Sequence, residues 1–362
     1  MRNIVPKKQL IGLTVDEITG LLKPFNQPAY RAEQLYKWLH HHQARSFDEM
    51  SNIPKSFRVQ LAEEFTIGAL TLSSRQVSID GTIKYLWKLP NGHSIESVFI
   101  PEAKRKTICI SSQAGCALGC GFCATAQMGF LSNLSSGEIV EQVIRVQQDT
   151  GVKITNVVLM GMGEPFLNYN RVIQACQILH DPAGLAIAAQ KITISTVGVV
   201  PRIFQFAKEN QPFKLAISLH APTQELRRQF MPIAEKFPLT ELMESAKFYT
   251  NQTNRKRITF EYVLLEGVNE TSLAAKQLLK LLSPLRCKLN LIPYNDTGLG
   301  FKLPSKARIE DFTRELYSAP FAVTLRKNRG NDIAAACGQL FFKSKPAKTP
   351  RFITAKQTTS FA

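Results

Sequence analysis

The chain has 362 residues, and 44% of them are hydrophobic, which is enough for one large core and a small accessory domain. It carries 45 Lys and Arg residues against 28 Asp and Glu residues, and the formal charge of +17 favours polyanionic partners. Seven cysteines in so long a chain exclude a small disulfide-bonded scaffold, and no apolar run approaches the roughly 18 residues of a membrane span. Because the N-terminal residues lack the apolar stretch of a signal peptide, we expect a reducing, cytoplasmic location.

The N-terminal third of the sequence changes from a helical to a strand-like pattern. Thr14 with Glu17 three residues later is typical of a helix start, and a second helix is predicted over residues 31–42. From about residue 70 the pattern becomes strand-like, and Gly81 and Asn91-Gly92 mark hairpin turns. We therefore predict a helical accessory domain over residues 1–65 and a β-hairpin linker region over residues 66–100.

Cys116, Cys120 and Cys123 form the most informative motif, with the spacing C-x3-C-x2-C. Cysteine thiolates hold iron–sulfur clusters, and three thiolates leave one iron of a four-iron cubane open for a small molecule. S-adenosylmethionine can bind that iron through its amino and carboxylate groups and start radical chemistry. A structural zinc site needs four ligands, and neither a second cysteine pair nor a histidine pair follows. The motif favours a radical S-adenosylmethionine site over a zinc site or unused thiols.

Beyond residue 106, strand-like and helical segments alternate. Strands are predicted at 107–111, 156–160, 191–196, 214–219, 257–265, 288–293 and 321–325. Helices are predicted between them at 136–148, 171–179, 202–209, 239–250, 273–282 and 310–317. Repeated β-then-α units imply a parallel sheet with right-handed crossovers, and about six units favour a barrel or partial barrel over an open doubly wound sheet.

Polar residues recur where these predicted strands end. The cysteine loop follows the first strand, and Gly161-Met162-Gly163-Glu164-Pro165 follows the second. Further polar residues at the ends of later strands are Ser195, Ser218, His220 and Asn295. Since ligands of such folds bind at the carboxyl ends of the strands, these residues predict a ligand-binding rim.

Three segments together resemble a known family. They are residues 107–113 with the three cysteines, residues 161–165, and Asp332-Ile333-Ala334-Ala335-Ala336-Cys337-Gly338-Gln339-Leu340. They resemble the RlmN/Cfr family of radical S-adenosylmethionine methyltransferases, which act on adenine carbons in RNA, and the resemblance covers nearly the whole chain. Residues 124–130 and 329–333 are more similar to the RlmN branch, which methylates C2 of adenine in 23S rRNA and certain tRNAs. The alternative is the Cfr branch, which methylates C8 of the same rRNA adenine.

The resemblance implies a fold, cofactors and partners. Residues 101–340 are expected to form a partial (β/α)6 TIM-like radical S-adenosylmethionine barrel, followed by a basic tail over residues 341–362. The implied cofactors are a [4Fe–4S] cluster on the three cysteines and two molecules of S-adenosylmethionine per turnover. The implied contacts to S-adenosylmethionine are Gly163, Glu164, Ser195, Ser218, Leu219, His220 and Asn295. The implied partners are 23S rRNA, tRNA and a low-potential electron donor such as flavodoxin or ferredoxin, and we expect a monomer.

The resemblance also implies a covalent route through Cys337. A methyl group moves from S-adenosylmethionine to its thiolate, a 5′-deoxyadenosyl radical removes a hydrogen from that methyl group, and the carbon radical adds to adenine C2. Cys109 then attacks the sulfur of Cys337 to form a disulfide, and Glu96 accepts a proton. Considered without the resemblance, Glu96 is interpreted as a solvent-facing strand residue and Cys109 as a small core residue.

Two residues of this chain differ from the family pattern, and three clusters of basic residues are candidates for contact with RNA. The family usually has acidic residues where this chain has Asn331 and Ala334, which puts in question the position or mobility of the loop that carries Cys337. Basic residues at 104–106, 255–257 and 326–329 are candidates for phosphate contacts. An iron–sulfur electron carrier or an RNA-binding regulator without catalysis is the alternative from a different class.

Overall fold

The N-terminal segment of the computed structural model, which describes residues 7–252 and 257–341, is a small helical unit. Its helices are α1 (Val15–Leu22), α2 (Tyr30–His40) and α3 (Lys55–Glu64). Strand β1 (Lys8–Gln9) pairs in parallel with β2 (Phe65–Thr66) and brings the two ends of the unit together. The predicted capping box is confirmed, since the Thr14 hydroxyl accepts from the Glu17 amide and the Glu17 carboxylate accepts from the Thr14 amide.

Three antiparallel strands follow, joined at the predicted turns. They are β3 (Thr71–Val77), β4 (Ile83–Lys88) and β5 (Ser94–Pro101). Gly81 and Gly92 have φ angles of +83° and +86°, which glycine adopts without steric cost. Strand β5 also pairs antiparallel with β6 (Lys106–Cys109), so residues 71–101 extend the main sheet.

The main sheet continues with seven parallel strands. The first of these is β6. It is followed in the chain by a separate two-stranded sheet of β7 (Gln113–Gly115) and β8 (Phe130–Asn133). The remaining parallel strands are β9 (Asn156–Leu159), β10 (Ile192–Thr196), β11 (Lys214–Ser218), β12 (Ile258–Leu264), β13 (Cys287–Pro293) and β14 (Ala322–Leu325). The strand order is β14-β13-β12-β11-β10-β9-β6-β5-β4-β3, and the sheet has β14 and β3 as free edges. The predicted α/β class with an incompletely closed barrel is confirmed.

Helices cover the parallel strands and bury their apolar side chains. They are α4 (Ser136–Thr150), α5 (Tyr169–His180), α6 (Val200–Lys208), α7 (Gln224–Phe230), α8 (Ile233–Lys236), α9 (Leu239–Gln252), α10 (Ser272–Leu282) and α11 (Lys306–Glu315). The sequence pattern did not predict α7 and α8, because both are too short to show an amphipathic period. Within the described residues, no helix is long and apolar enough to cross a membrane. The basic tail beyond Phe341 and the basic pair Arg255-Lys256 lie outside the described residues.

Close contact between two glycines joins the N-terminal unit to α4. A Cβ atom on Gly137 would lie 2.2 Å from the carbonyl oxygen of Ile11, and one on Gly12 would lie 2.2 Å from the Cα atom of Gly137. Glu141, one turn further along α4, accepts hydrogen bonds from the Gln9 side chain and from two backbone amides of residues 69 and 70. The docking of the N-terminal unit therefore depends on backbone approach at Gly137.

We expect Gly137→Ala to lower the free energy of unfolding by about 1–3 kcal/mol, because overpacking outweighs the gain in helix propensity. Gly20→Ala is the matched control, since Gly20 lies in α1 and its added Cβ would meet nothing within 4 Å. That control should be neutral or stabilising by up to about 1 kcal/mol. Denaturant unfolding measures both, and equal stabilisation of the two variants would show that the backbones do not make this contact.

Candidate active site

A cavity opens at the carboxyl ends of the parallel strands, where the polar rim was predicted. It contains about 1040 Å³ of space, part of it open to solvent. The predicted site residues that line it are Cys116, Cys120, Cys123, Gly163, Glu164, Ser195, Ser218, His220 and Cys337. Tertiary structure thus brings together residues from four strand ends and from the C-terminal loop.

The three cysteines lie on a loop that begins after β7. The amide of Cys116 donates to the carbonyl oxygen of Gly129 at 2.8 Å, and the amide of Gly121 donates to that of Phe230 in α7 at 2.8 Å. Burial raises the pKa of Cys116 to about 12 and also raises the pKa of Cys120 and Cys123. The thiols are therefore neutral until a metal centre binds them and displaces their protons.

Glu164 lies at the edge of this cavity, after β9. Its carboxylate accepts from the amide of Phe166 at 3.0 Å and from the amide of Val197 at 2.9 Å. Burial raises the pKa of Glu164 to about 7. The preceding Gly163 has a φ of +95°, and a Cβ there would lie 2.4 Å from the Cβ of Gln113. Glycine is thus required at position 163 by the packing of the chain against Gln113.

His220 is held in one orientation as a neutral imidazole. Its Nδ1 accepts from the amide of Val263 at 3.0 Å, which leaves the proton on Nε2. Burial, and next the charge of Arg227, lower its pKa to about 3. Its ring edge packs against Phe122 of the cysteine loop. His220 can therefore contact a ligand as a neutral donor.

Leu219 and Asn295 lie apart from the lining of this cavity. Leu219 is fully buried, and its carbonyl oxygen accepts from the Arg227 side chain. Asn295 instead lines a second cavity. Its Nδ2 donates to the carbonyl oxygen of Cys337 at 3.1 Å, while its Oδ1 is buried without a partner among the described residues.

The second cavity contains the two other predicted cysteines. It contains about 480 Å³ of space, part of it open to solvent, and is lined by Cys109, Arg326 and Cys337, among others. Burial raises the pKa of Cys109 to about 12, the charge of Cys337 adds to the rise, and Arg326 opposes it. Both thiols are free in this structure. Since Cys337 lines both cavities, it lies between the cluster cysteines and Cys109.

Hydrogen bonds fix the loop that carries Cys337. The hydroxyl of Thr125, two residues beyond Cys123, donates to the carbonyl oxygen of Leu340 at 2.7 Å. At the start of the loop, the Asp332 carboxylate accepts from the Ser78 hydroxyl at 2.6 Å and from the amide of residue 79 at 3.1 Å. The loop is thus held against both the cysteine loop and the β3–β4 turn.

The two departures from the family pattern leave this anchoring in place. Asn331 lies in a 3-10 turn and is exposed. Ala334 has a left-handed φ of +49°, which is unfavourable for alanine, and its carbonyl oxygen accepts from Lys84 Nζ at 3.3 Å. Asp332 and Lys84 therefore hold the segment in which the acidic residues are replaced.

Glu96 is buried, with 3% of its surface exposed, so its interpretation as a solvent-facing residue is wrong. Its carboxylate lies 3.4 Å from Lys84 Nζ and accepts from the amide of Phe341 at 2.9 Å. Burial raises the pKa of Glu96, and the charge of Lys84 opposes that rise. The Lys84–Glu96 pair contacts the Cys337 loop at both of its ends, at Ala334 and at Phe341.

Several charged residues of the site were not predicted to belong to it. Arg326 was predicted to belong to a basic cluster that contacts RNA phosphates, but it lines the second cavity with Cys109 and Cys337. Glu261 lines the cavity of the three cysteines. A carboxylate within the apolar segment 258–264 could have indicated it, because a buried charge in a strand is unusual. Lys84 and Arg227 gave no signal, because they become site residues only through tertiary contacts.

Comparisons with known proteins agree with this arrangement. Residues 8–67 match the ribosomal RNA large subunit methyltransferase N-terminal domain, and residues 110–276 match the radical SAM superfamily. The dual-specificity RNA methyltransferase RlmN of Syntrophobacter fumaroxidans is 44% identical over 330 residues, which are 90% of this chain and 96% of the relative. The probable RlmN of Thermotoga neapolitana is 44% identical over 339 residues, 93% of this chain and 98% of the relative.

This chain belongs to the RlmN family. The crystal structure of a radical SAM methyltransferase from Sphaerobacter thermophilus has a TM-score of 0.88 and 42% identity, and covers 92% of this chain and 99% of that one. Family membership brings with it a [4Fe–4S] cluster and S-adenosylmethionine. The Cfr alternative is not supported, since the relatives carry the RlmN name.

The residues of the cluster cavity fit these cofactors. Among the described residues, no three His, Cys, Asp or Glu side chains are grouped closely enough to hold a single metal ion. Three thiols around one cavity instead suit a cluster, which is larger than an ion and spreads its ligands apart. The Glu164 carboxylate would offer an acceptor to the polar groups of S-adenosylmethionine in this cavity, whereas Asn295, whose Oδ1 has no partner among the described residues, lines the second cavity.

Proposed function

We propose that this chain is a radical S-adenosylmethionine methyltransferase that adds a methyl group to C2 of an adenine in RNA. The observation that supports it is the position of Cys337, which lines both the cavity of the three cluster cysteines and the cavity of Cys109. One side chain can therefore accept a methyl group on one side and be attacked by a second thiol on the other. The names of the relatives support RNA as the substrate. The resemblance of residues 124–130 and 329–333 to the RlmN branch supports C2 as the atom.

Adenine C2 requires this indirect route because it lies between two ring nitrogens and has no lone pair to attack a methyl donor. When bound, the cluster and S-adenosylmethionine supply a methyl group for the sulfur of Cys337 and a radical that activates this methyl group. Cys337 carries the activated carbon to C2 and becomes joined to the RNA. Asn295 and Thr125 hold its loop in position through the carbonyl oxygens of residues 337 and 340.

Release of the RNA is assigned to Cys109 and Glu96. Addition of the carbon radical to C2 leaves one unpaired electron on the adduct, which the cluster, when bound, would take back, and Glu96 accepts the proton that leaves C2. The Cys109 thiolate attacks the sulfur of Cys337, the bond between that sulfur and carbon breaks, and the carbon takes up a proton to become the methyl group. The new S–S bond must be reduced by an external thiol before the next turnover. Arg326, beside both cysteines, opposes the rise of the Cys109 pKa that burial causes and so lowers the cost of forming its thiolate.

We expect Lys84→Met to move the release step to higher pH. Burial already raises the pKa of Glu96, so removal of the opposing Lys84 charge raises it further and less carboxylate is present at neutral pH. A rise of one pKa unit would slow release by about ten-fold below that pKa. The pH profile for decay of the protein–RNA adduct in a single turnover measures the effect. Lys88→Met, at the exposed end of β4, is the control, and superimposable profiles of all three proteins would contradict the role of Lys84.

Two measurements test the proposed reaction itself. Digestion of modified RNA followed by mass spectrometry locates the methyl group, and we expect it on C2. Incubation of the reduced protein with S-adenosylmethionine should yield 5′-deoxyadenosine, whereas an electron carrier or RNA-binding regulator yields none. A methyl group on C8, or the absence of both products, would overturn the proposal.

The further partners follow from the same chemistry. We propose 23S rRNA and tRNA as substrates, since the charge of +17 favours binding of RNA phosphates. Exposed Lys104 and Lys327 are available for such contacts. We also propose a monomer that receives electrons from a flavodoxin or ferredoxin, and a reducing, cytoplasmic location that keeps Cys109 and Cys337 as free thiols between turnovers.

A further inference from the structure

Arg227 is a fully buried charge without a counter-ion among the described residues. In α7, its side chain donates from Nε to the carbonyl oxygen of Leu219 at 3.2 Å and from Nη2 to those of Val197 and Ser218 at 2.5 and 3.4 Å. Its Nη1 is buried and has no hydrogen-bond partner within residues 7–252 and 257–341. Desolvation lowers the pKa of Arg227 to about 10. Carbonyl dipoles thus solvate only part of this cation.

A buried cation in this state is costly, and proteins ordinarily pair such a charge. The position of Arg227 indicates where the missing anion belongs. Helix α7 is bonded to the cysteine loop through the amide of Gly121 and the carbonyl oxygen of Phe230. Val197 and Ser218, whose carbonyl oxygens accept from Arg227, line the same cavity as the three cysteines. Three thiolates around a four-iron core carry net negative charge, so the cluster site can supply that anion.

The hydrogen bonds of Arg227 point to a second consequence of the same position. Val197 and Ser218 belong to the ends of β10 and β11, and the amide of Val197 also donates to the Glu164 carboxylate. The guanidinium therefore connects α7, which is bonded to the cysteine loop through Phe230, to the part of the rim that carries Glu164. No carboxylate side chain of the described residues makes these bonds. The positive charge and the positioning of the rim therefore both come from Arg227.

We propose that Arg227 is the built-in counter-charge of the cysteine-bound cluster, and that it raises the reduction potential of the cluster. A fixed positive charge stabilises the reduced cluster, which is more negative, over the oxidised one. Arg227 is a positioning and electrostatic residue in this proposal, because it acts on the cluster without donating a ligand to it. The inference rests on the cluster binding to Cys116, Cys120 and Cys123.

The test compares Arg227→Gln, Arg227→Lys and a control, Arg228→Gln, whose side chain is 55% exposed on the same helix. Each full-length protein is reconstituted anaerobically, its iron content is measured, and the midpoint potential is found by redox titration monitored by electron paramagnetic resonance. At a fixed potential, Arg227→Gln should lower the ratio of reduced to oxidised cluster by about ten-fold, which is about 59 mV for a one-electron couple. Arg227→Lys and Arg228→Gln should stay close to the unmodified protein.

Three outcomes would overturn the inference. The first is an unchanged midpoint potential in Arg227→Gln. The second is an equal shift of the potential in Arg227→Gln and Arg227→Lys, and the third is loss of the cluster from both variants. The last two would indicate that the side chain is merely structural. If only Arg227→Gln loses its iron while Arg227→Lys keeps the cluster at the original potential, charge is the property required. Formation of 5′-deoxyadenosine by the unmodified protein, measured in parallel, shows whether the proposed function stands independently.

Discussion

Cys337→Ala should abolish methylation of RNA while leaving the cluster and RNA binding intact. Cys337 carries the one thiol among the described residues that lines both the cluster cavity and the cavity of Cys109, so no neighbour can replace it as methyl carrier. Loss of an essential nucleophile lowers turnover by more than about 10³-fold. The assay is the transfer of labelled methyl groups to RNA, accompanied by iron content and an RNA-binding measurement at fixed salt.

Intact-mass analysis sharpens this test. The unmodified protein isolated after exposure to S-adenosylmethionine should carry one additional methyl group on Cys337, and Cys337→Ala should carry none. Cys287→Ala is the control, because Cys287 is also a free thiol but is buried at the start of β13, outside both cavities. Retained methylation in Cys337→Ala would remove the covalent mechanism, whereas loss in Cys287→Ala would indicate general damage to the fold.

Cys109→Ala should trap the protein on its RNA. The adduct between Cys337 and adenine still forms, because Cys109 acts only after the carbon has been joined to C2. Without the attacking thiol the adduct persists, and turnover should be limited to about one per chain. Denaturing gel electrophoresis of labelled RNA should therefore show a band that contains protein, which protease removes.

The cavity geometry makes a second readout available for Cys109→Ala. The unmodified protein should form a Cys109–Cys337 disulfide during turnover, since both free thiols line one cavity. Peptide mapping after a single turnover without reductant should detect this bond, and Cys109→Ala should lack it. Normal turnover of the variant with no persistent adduct would assign the release step to another group.

Local sequence patterns predicted most of the fold because each pattern has a direct backbone cause. The capping box at Thr14, the turns at Gly81 and Gly92, and the alternation of strands and helices after residue 106 all appear in the structure. The short helices α7 and α8 were missed, since four to seven residues give no measurable period. The interpretation of Glu96 as solvent-facing failed because the Cys337 loop, distant in sequence, covers it.

By itself, the sequence determined the cluster motif, the order of strands and helices, and the residues at the strand ends, because spacing and periodicity are local properties. Only the tertiary structure decided that Cys337 lies between two cavities and that Lys84 and Glu96 contact both ends of its loop. It also decided that Arg227 is buried beside the cavity lining with no counter-ion in the part of the chain that the structure describes. These relations join residues from different strands, turns and loops. Burial and electrostatic environment depend on such long-range contacts, and for that reason no local pattern can encode them.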